Sequence, residues 1–312
     1  MALHLHRAHR TDVLADSLGG LLAAPRADPF AEELVLVSAR GMERWLSQRL
    51  SHVLGVCAGV TFRHPRSLID ELTETADNDP WSPDSLVWPL LEAIDSCLDA
   101  PWCASLAAHL GHFEEGEEKH LRQGRRYAVA RRLAGLFSSY ARQRPQLLVD
   151  WIEGRTEALD HDVQWQPALF RALVDRVEAA PPHVQHARTI ARLQESATNL
   201  PERLSLFGHT RLPRTEIELL HALSSHHDLH LWLPHPSDDL WAACQGVQGA
   251  IPRCQDQSHR KVGHPLVATL GRDLRELQRS LPFPADTDEY LSHPAGSIEH
   301  PDTLLGWLQA DI

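Results

Sequence analysis

Lysine is almost missing from this chain. Of its 30 cationic side chains only Lys119 and Lys261 are lysines, so the positive charge is nearly all guanidinium. The motif G-x-x-x-x-G-K-[ST], whose amides, lysine and hydroxyl would hold a triphosphate and its magnesium, occurs nowhere. That excludes an ATPase of the P-loop type. Cysteine is sparse and odd in number, and the five thiols at 57, 97, 103, 244 and 254 have neither zinc-knuckle nor redox-pair spacing. They are expected to be reduced structural thiols. No H-E-x-x-H marks a metalloprotease and no G-x-S-x-G marks a nucleophile elbow. No apolar run approaches the roughly 18 residues of a membrane span. Met1-Ala2-Leu3-His4-Leu5-His6 lacks the basic start and long apolar stretch of a signal peptide, so the expected compartment is the cytoplasm.

What is present is a chain of 312 residues that is 43% hydrophobic, enough for one large domain or two ordinary ones. The net charge of -12 argues against a surface coated with nonspecific nucleic-acid contacts, but leaves room for a local basic track. The first 70 residues read as β-α-β-α: a strand at 3–6, a helix at 11–22 capped by Thr11 or Asp12, a buried strand at 33–38, and a helix at 42–54. Met42, Trp45, Leu46, Leu50 and Val53 share one stripe of that last helix. The linker Ala39-Arg40-Gly41 sits where a phosphate-binding loop would lie, with one glycine and no lysine. Val60-Thr61-Phe62 is a further short strand.

From Pro65 to Ala197 the apolar spacing is helical in seven stretches: 65–76, 84–99, 101–112, 117–143, 145–153, 165–180 and 184–197. Strand character returns at 203–207 and 228–233 around a helix at 214–224. A short crossover of this kind predicts parallel pairing. Short helices at 264–280 and 302–311 follow. The expected architecture is an α/β fold with a parallel sheet: residues 1–64 form its first part, 65–200 a helical insertion, and 201–312 its second part plus peripheral helices.

Two clusters bear on chemistry. Glu114-Glu115-Gly116-Glu117-Glu118 has the charge of a metal site but reads as a solvated turn and helix start, where acids suit the dipole. The arginines at 122, 125, 126, 131, 132, 142 and 144 form a ridge in which Arg125 and Arg132, seven apart, share a face. Guanidinium binds phosphate in two-pronged fashion, so the ridge could track a nucleic-acid backbone. It could equally be a solvated face paired with the acids at 114–118.

Several segments, in order along the chain, resemble a known family. They are Val37–Leu46, Leu136-Phe137-Ser138-Ser139-Tyr140 with Arg144-Pro145, Trp165–Phe170, Phe207-Gly208 with Leu212-Pro213, Leu229–Trp241 and His264–Asp273. Together they are similar to the N-terminal portion of the RecC family, the gamma chains of exodeoxyribonuclease V in the RecBCD complex. The resemblance implies a RecA-like parallel sheet of an inactive superfamily-1 helicase-like domain with a large all-helical insertion, and no cofactor. It implies a scaffold in double-strand break repair and recombination, with RecB-like and RecD-like partners and both single-stranded and duplex-end DNA. It also implies that the helical insertion lines a passage for the 3′-ended strand, where a Chi-like sequence is sensed. Arg125 and Arg132 are the ridge residues this assigns to DNA. Positions aligned with sensing segments are His64 and Asp70, then Gly135, Leu136, Ser139 and Arg144, then His186 and Arg188. Leu136 and Arg144 match the family pattern, while His64, Asp70, Gly135 and Ser139 depart from it. Arg144 is expected on phosphate or base, Leu136 against a base or sugar, and Tyr140 or Trp81 as a stacking surface. The rival expectation is a pure protein-interaction domain that binds partner subunits and never touches DNA.

Overall fold

A computed structural model describes residues 1–24, 28, 30–74, 79–156, 159, 161–249, 251, 255–281, 285–292, 303, 304 and 307. In chain order the elements begin with β1 (Leu3–Ala8), α1 (Thr11–Ala23), β2 (Glu33–Val37), α2 (Arg40–Leu54), β3 (Val60–Arg63) and α3 (Pro65–Leu72). Helices follow as α4 (Val87–Cys97), α5 (Ala104–His109), α6 (Gly116–Gln123), α7 (Arg126–Gln143), α8 (Pro145–Ile152), α9 (Trp165–Val174) and α10 (Pro182–Glu195). The last elements are β4 (Arg203–Phe207), α11 (Arg214–Leu223), β5 (Asp228–Pro234), α12 (Asp238–Cys244), α13 (Pro265–Leu270), α14 (Arg272–Ser280) and β6 (Thr287–Tyr290). The chain divides into two compact units, a sheet unit of residues 1–70 with 190–312 and a helical unit of residues 71–189.

The sheet has six strands in the order β3-β2-β4-β5-β1-β6, and every pairing is parallel. Parallel sheets are covered on both faces, so their inner strands are apolar along their whole length. Glu33-Leu34-Val35-Leu36-Val37 meets that demand with five buried residues, and Leu204–Phe207 with four. Strand β1 alternates instead: Leu3 and Leu5 are buried on one face while His4 and His6 stand on the other. There they stack with β5: His4 on His230 at 4.5 Å, and His6 on Trp232 at 4.0 Å. Helices α1 and α2 pack together over Ala8, Val35, Val37, Phe207 and Trp232. Gly19 permits their close approach, because a Cβ there would sit 2.8 Å from the Val53 side chain.

Several sequence expectations are corrected. The first helix has Arg10 at its N-cap with no side-chain cap, and Asp12 instead accepts a hydrogen bond from the Val13 N–H at 3.0 Å. Leu46 and Leu50 are fully buried on α2, but Trp45 and Val53 remain 38% and 44% exposed, so the stripe is narrower than its apolar spacing. The expected helix at 117–143 is two helices, broken at Gly124-Arg125, where glycine's conformational freedom opposes continuation. The stretch 264–280 breaks likewise at Gly271, and 101–112 is a 3₁₀ turn followed by the short α5. Strand β6 has no apolar period to announce it. It is a polar edge strand held by its pairing with β1, the kind of edge that resists further pairing. The expected helix at 302–311 and Cys254 lie largely or wholly outside the described residues.

Candidate functional site

Helix α7 organises the helical unit. Its sequence is rich in strong helix formers, and Ala130, Leu133, Ala134 and Phe137 recur at helical spacing on its buried face. Phe137 anchors an aromatic core: its ring lies 5.3 Å from Phe170 and 6.2 Å from Trp151, both edge-on. Beside that face runs a second stripe, Arg125, Val129, Arg132, Leu136 and Ser139, spaced four, three, four and three residues apart. One stripe of a helix surface therefore presents them all.

Along this stripe the helical unit opens a cleft of about 580 Å³. Its wall is apolar, from Leu106, Val129, Leu136 and Trp165. Its rim is polar, from Ser105, His109, Arg132 and Ser139. Gly135 also borders it, and a Cβ there would meet nothing within 4 Å, so the floor is open at that point. The cleft has an apolar slot with hydroxyls and one guanidinium at its edge. That chemistry suits a flat apolar group attached to an anion. Among the described residues, no group of three or more His, Cys, Asp or Glu side chains could hold a metal ion.

The structure brings together Arg132, Leu136 and Ser139 of the expected site residues. Arg125 is exposed at the N-cap of α7 and does not line the cleft. Arg144 is exposed at the break between α7 and α8, where a non-helical backbone precedes Pro145. Its charge opposes, without overcoming, the upward push that burial gives the Tyr140 hydroxyl's pKa. Arg188 is exposed on α10 and is not a cleft residue. His64 belongs to the sheet unit, just past β3, where its Nδ1 accepts a hydrogen bond from the Arg66 N–H at 3.1 Å.

The arginine ridge is narrower than its sequence. Arg122 pairs with Glu118 at 2.6 Å and Glu114 at 3.9 Å and donates to the Ala108 carbonyl at 3.1 Å. Arg126 pairs with Asp95 at 2.8 Å. Two members of the series thus hold the helical unit together, and the acids at 114–118 contribute to that. Arg125, Arg131, Arg132 and Arg144 are exposed and form no ion pair among the described residues.

One of the two expected stacking surfaces is corrected. Trp81 is buried in the core, and Tyr140 is half-buried against it with its O–H donating to Gln166 Oε1 at 3.4 Å. Trp165, partly exposed as Tyr140 is, lines the cleft. It is half-exposed in the cleft, with its indole N–H donating to the Asp162 carbonyl at 2.8 Å. Sequence alone marks Trp165 only as the first residue of a helix, since partial exposure depends on the distant partner α7.

Together these features define a parallel α/β module whose helical unit displays a cation-rimmed, tryptophan-walled cleft. The chain belongs to the RecC N-terminal domain family, whose family model, "RecC, N-terminal domain", matches residues 3–312. It is 69% identical over 312 residues to "RecBCD enzyme subunit RecC" of Mycolicibacterium smegmatis and 64% identical over 324 residues to the protein of that name in Mycobacterium tuberculosis, with all of this chain covered in both. It is 26% identical over 354 residues to the Escherichia coli protein of the same name, covering 99% of this chain. The chain spans 28%, 29% and 30% of the length of those three relatives.

Proposed function

We propose that this chain is a DNA-handling scaffold without ATP turnover of its own, within a cytoplasmic RecBCD-type helicase–nuclease with RecB-like and RecD-like partners. Its sheet unit is read as a RecA-like helicase domain that has lost its triphosphate cradle. The support is the all-parallel sheet and a β2–α2 connection of only Ser38 and Ala39, too short to wrap a phosphate chain. Its helical unit guides a separated strand and takes part in sensing a Chi-like sequence. The observation that carries this reading is the α7 stripe, which places Arg132 over an apolar slot walled by Trp165 and Leu136. Exposed, unpaired guanidiniums and a partly exposed indole are the two devices that hold single strands. Arg125, Arg144 and Arg188 extend the cationic surface, and Ser139 supplies a hydroxyl. His64, in the sheet unit, is proposed as a DNA contact in its own right.

The test is Arg132→Ala with Arg144→Ala in the full complex. Weaker single-strand engagement, or an altered product-length response to the recognised sequence, is expected. Unchanged binding and unchanged product lengths end the assignment. A second reading, a surface for partner proteins, draws on Trp88 and Tyr127. These are 64% and 49% exposed, with rings 5.8 Å apart. A salt titration separates the two, since phosphate contacts release counterions and give a steep salt slope.

A further inference from the structure

The strand order marks a second place in the molecule. The chain leaves β2 toward β3, outward on one side, and leaves β4 toward β5, on the other. Strands β2 and β4 are neighbours. In open parallel sheets, ligands bind outside the carboxyl ends of two such strands, where the connections diverge. The residues at this point are Ser38-Ala39-Arg40-Gly41 after β2 and Gly208-His209 after β4.

Four observations describe that crevice. First, α2 begins there, is 15 residues long, and has Ala39 at its N-cap with no side-chain cap, so its first amides are unclaimed by any side chain. Second, Ser38, Ala39, Arg40 and Gly41 are all exposed. Arg40 has no ion pair among the described residues, and the space beside Gly41 is open. Third, Gly208, at a φ of +74°, faces the first turn of α2: a Cβ there would lie 3.5 Å from Met42 Cε. Fourth, the next residue, His209, is only 6% exposed, and neither of its ring nitrogens has a hydrogen-bond partner. The Phe207 carbonyl lies near enough to favour a protonated ring, but not in hydrogen-bond geometry.

His209 also feels the charge of His64, just past β3. Strand β2 lies between β3 and β4, and His209 directly follows Gly208, which faces Met42 in the first turn of α2. A buried imidazole with both nitrogens idle is costly unless something polar meets it. The carboxylate of that first turn, Glu43, lines a different groove with Arg44, Ser47 and Phe62.

We infer that the crevice at the ends of β2 and β4 binds a single phosphate group, inorganic or as a monoester, on the α2 amides and Arg40 with His209 as its floor. Helix N-terminal amides favour an oxyanion, guanidinium adds two parallel donors, and an imidazole N–H completes the shell. A two-residue connection without lysine has no means of cradling a triphosphate with magnesium. The site therefore differs from a motor's and is independent of the helical cleft.

The experiment is a calorimetric titration of the full-length subunit with inorganic phosphate, without magnesium and at constant ionic strength set by chloride. AMP and a 5′-phosphorylated oligonucleotide, each against its unphosphorylated counterpart, report which source of the group is preferred. Saturable phosphate binding is expected, weakened at least tenfold by Arg40→Glu at the exposed position and also by His209→Gln. Arg155→Ala, at an exposed cation paired with Asp150 in the helical unit, leaves it unchanged. Arg40→Glu keeps the test sharp if His209→Gln fails to fold. Absence of saturable phosphate binding to the parent chain, or equal affinity in a folded Arg40→Glu variant, overturns the inference.

Discussion

In the sheet unit, Arg7, Arg275 and Arg279 are each 5% exposed or less, while in the helical unit Arg125, Arg131, Arg132 and Arg144 are all exposed. Arg7 shows how the first arrangement works. Its guanidinium pairs with Asp238 at 2.6 Å and Asp288 at 2.7 Å, and lies over the Trp241 ring at 4.4 Å. Arg275 donates to the Val267 and Ala268 carbonyls, both at 2.8 Å, and Arg279 pairs with Asp256 at 2.8 Å. Between β4 and β2, Arg203 pairs with Glu33. Buried charge is tolerated only where partners surround it, and these strand ends and flanking helices supply them. Among the described residues the helical unit's core is aromatic and aliphatic, and Arg125, Arg131, Arg132 and Arg144 stand in water. The same residue type is buried among partners at those sheet-unit positions and, at those four helical-unit positions, exposed without an ion pair among the described residues.

The largest expected effects break this contrast from both sides. Arg203→Ala removes the guanidinium paired with buried Glu33, and is expected to destabilise the sheet unit by about 3–5 kcal/mol. Phe137→Ala empties the aromatic core and is expected to cost the helical unit about 3–5 kcal/mol. Hydrogen exchange resolved by peptide checks that each loss falls mainly in its own unit. If both substitutions loosen both units equally, the division into two stability regions fails.

Acid separates the units next. Burial lowers the pKa of His6, His209 and His235 to about 4, and that of His230 to about 3 with a further push from His4 and His6. Unfolded histidine titrates near 6.5, so the unfolded chain binds more protons in this window. The sheet unit's stability is then fully present above about pH 6.5 and declines as pH falls toward 4. Among the described residues the helical unit has one such histidine, His183, lowered by burial. Peptides of β1, β4 and β5 are therefore expected to lose protection at pH 5 before those of α7 and α9. The opposite order in exchange data would contradict this.

A smaller effect tests the exposed cations. Replacing both Arg125 and Arg132 with Ala in the full complex is expected to shallow the single-strand salt slope by about 0.7 per lost contact, with little change in melting temperature. Smallest of all is Arg49→Ala. Its pair with Asp16 at 2.6 Å is exposed on both sides, so about 0.5 kcal/mol or less is expected from chemical denaturation.

The parallel pairing of β4 with β5 was legible because a short helical crossover permits little else. Strands β2 and β4 were legible as apolar runs. Strand β6, four polar residues, was not, because nothing local distinguishes an edge strand from a loop. In the candidate site, the spacing of Arg125 and Arg132 was readable as one face. The pairing of Arg122 with the acids at 114–118 was one of the two readings the ridge allowed, whereas that of Arg126 was not legible, since Asp95 is 31 residues from it and only the fold brings it near. The place of Trp165 in the cleft wall was hidden for the same reason.

By itself the sequence determined local matters: the apolar runs that must be covered, the helical periods, and the lack of a lysine-and-glycine cradle between β2 and α2. These depend on neighbours within a turn or a strand. The tertiary structure alone decided the strand order, the burial of Arg7 and His209, and which guanidiniums stay free. Those depend on residues tens to hundreds of positions apart, whose charges and surfaces meet only after the chain has folded.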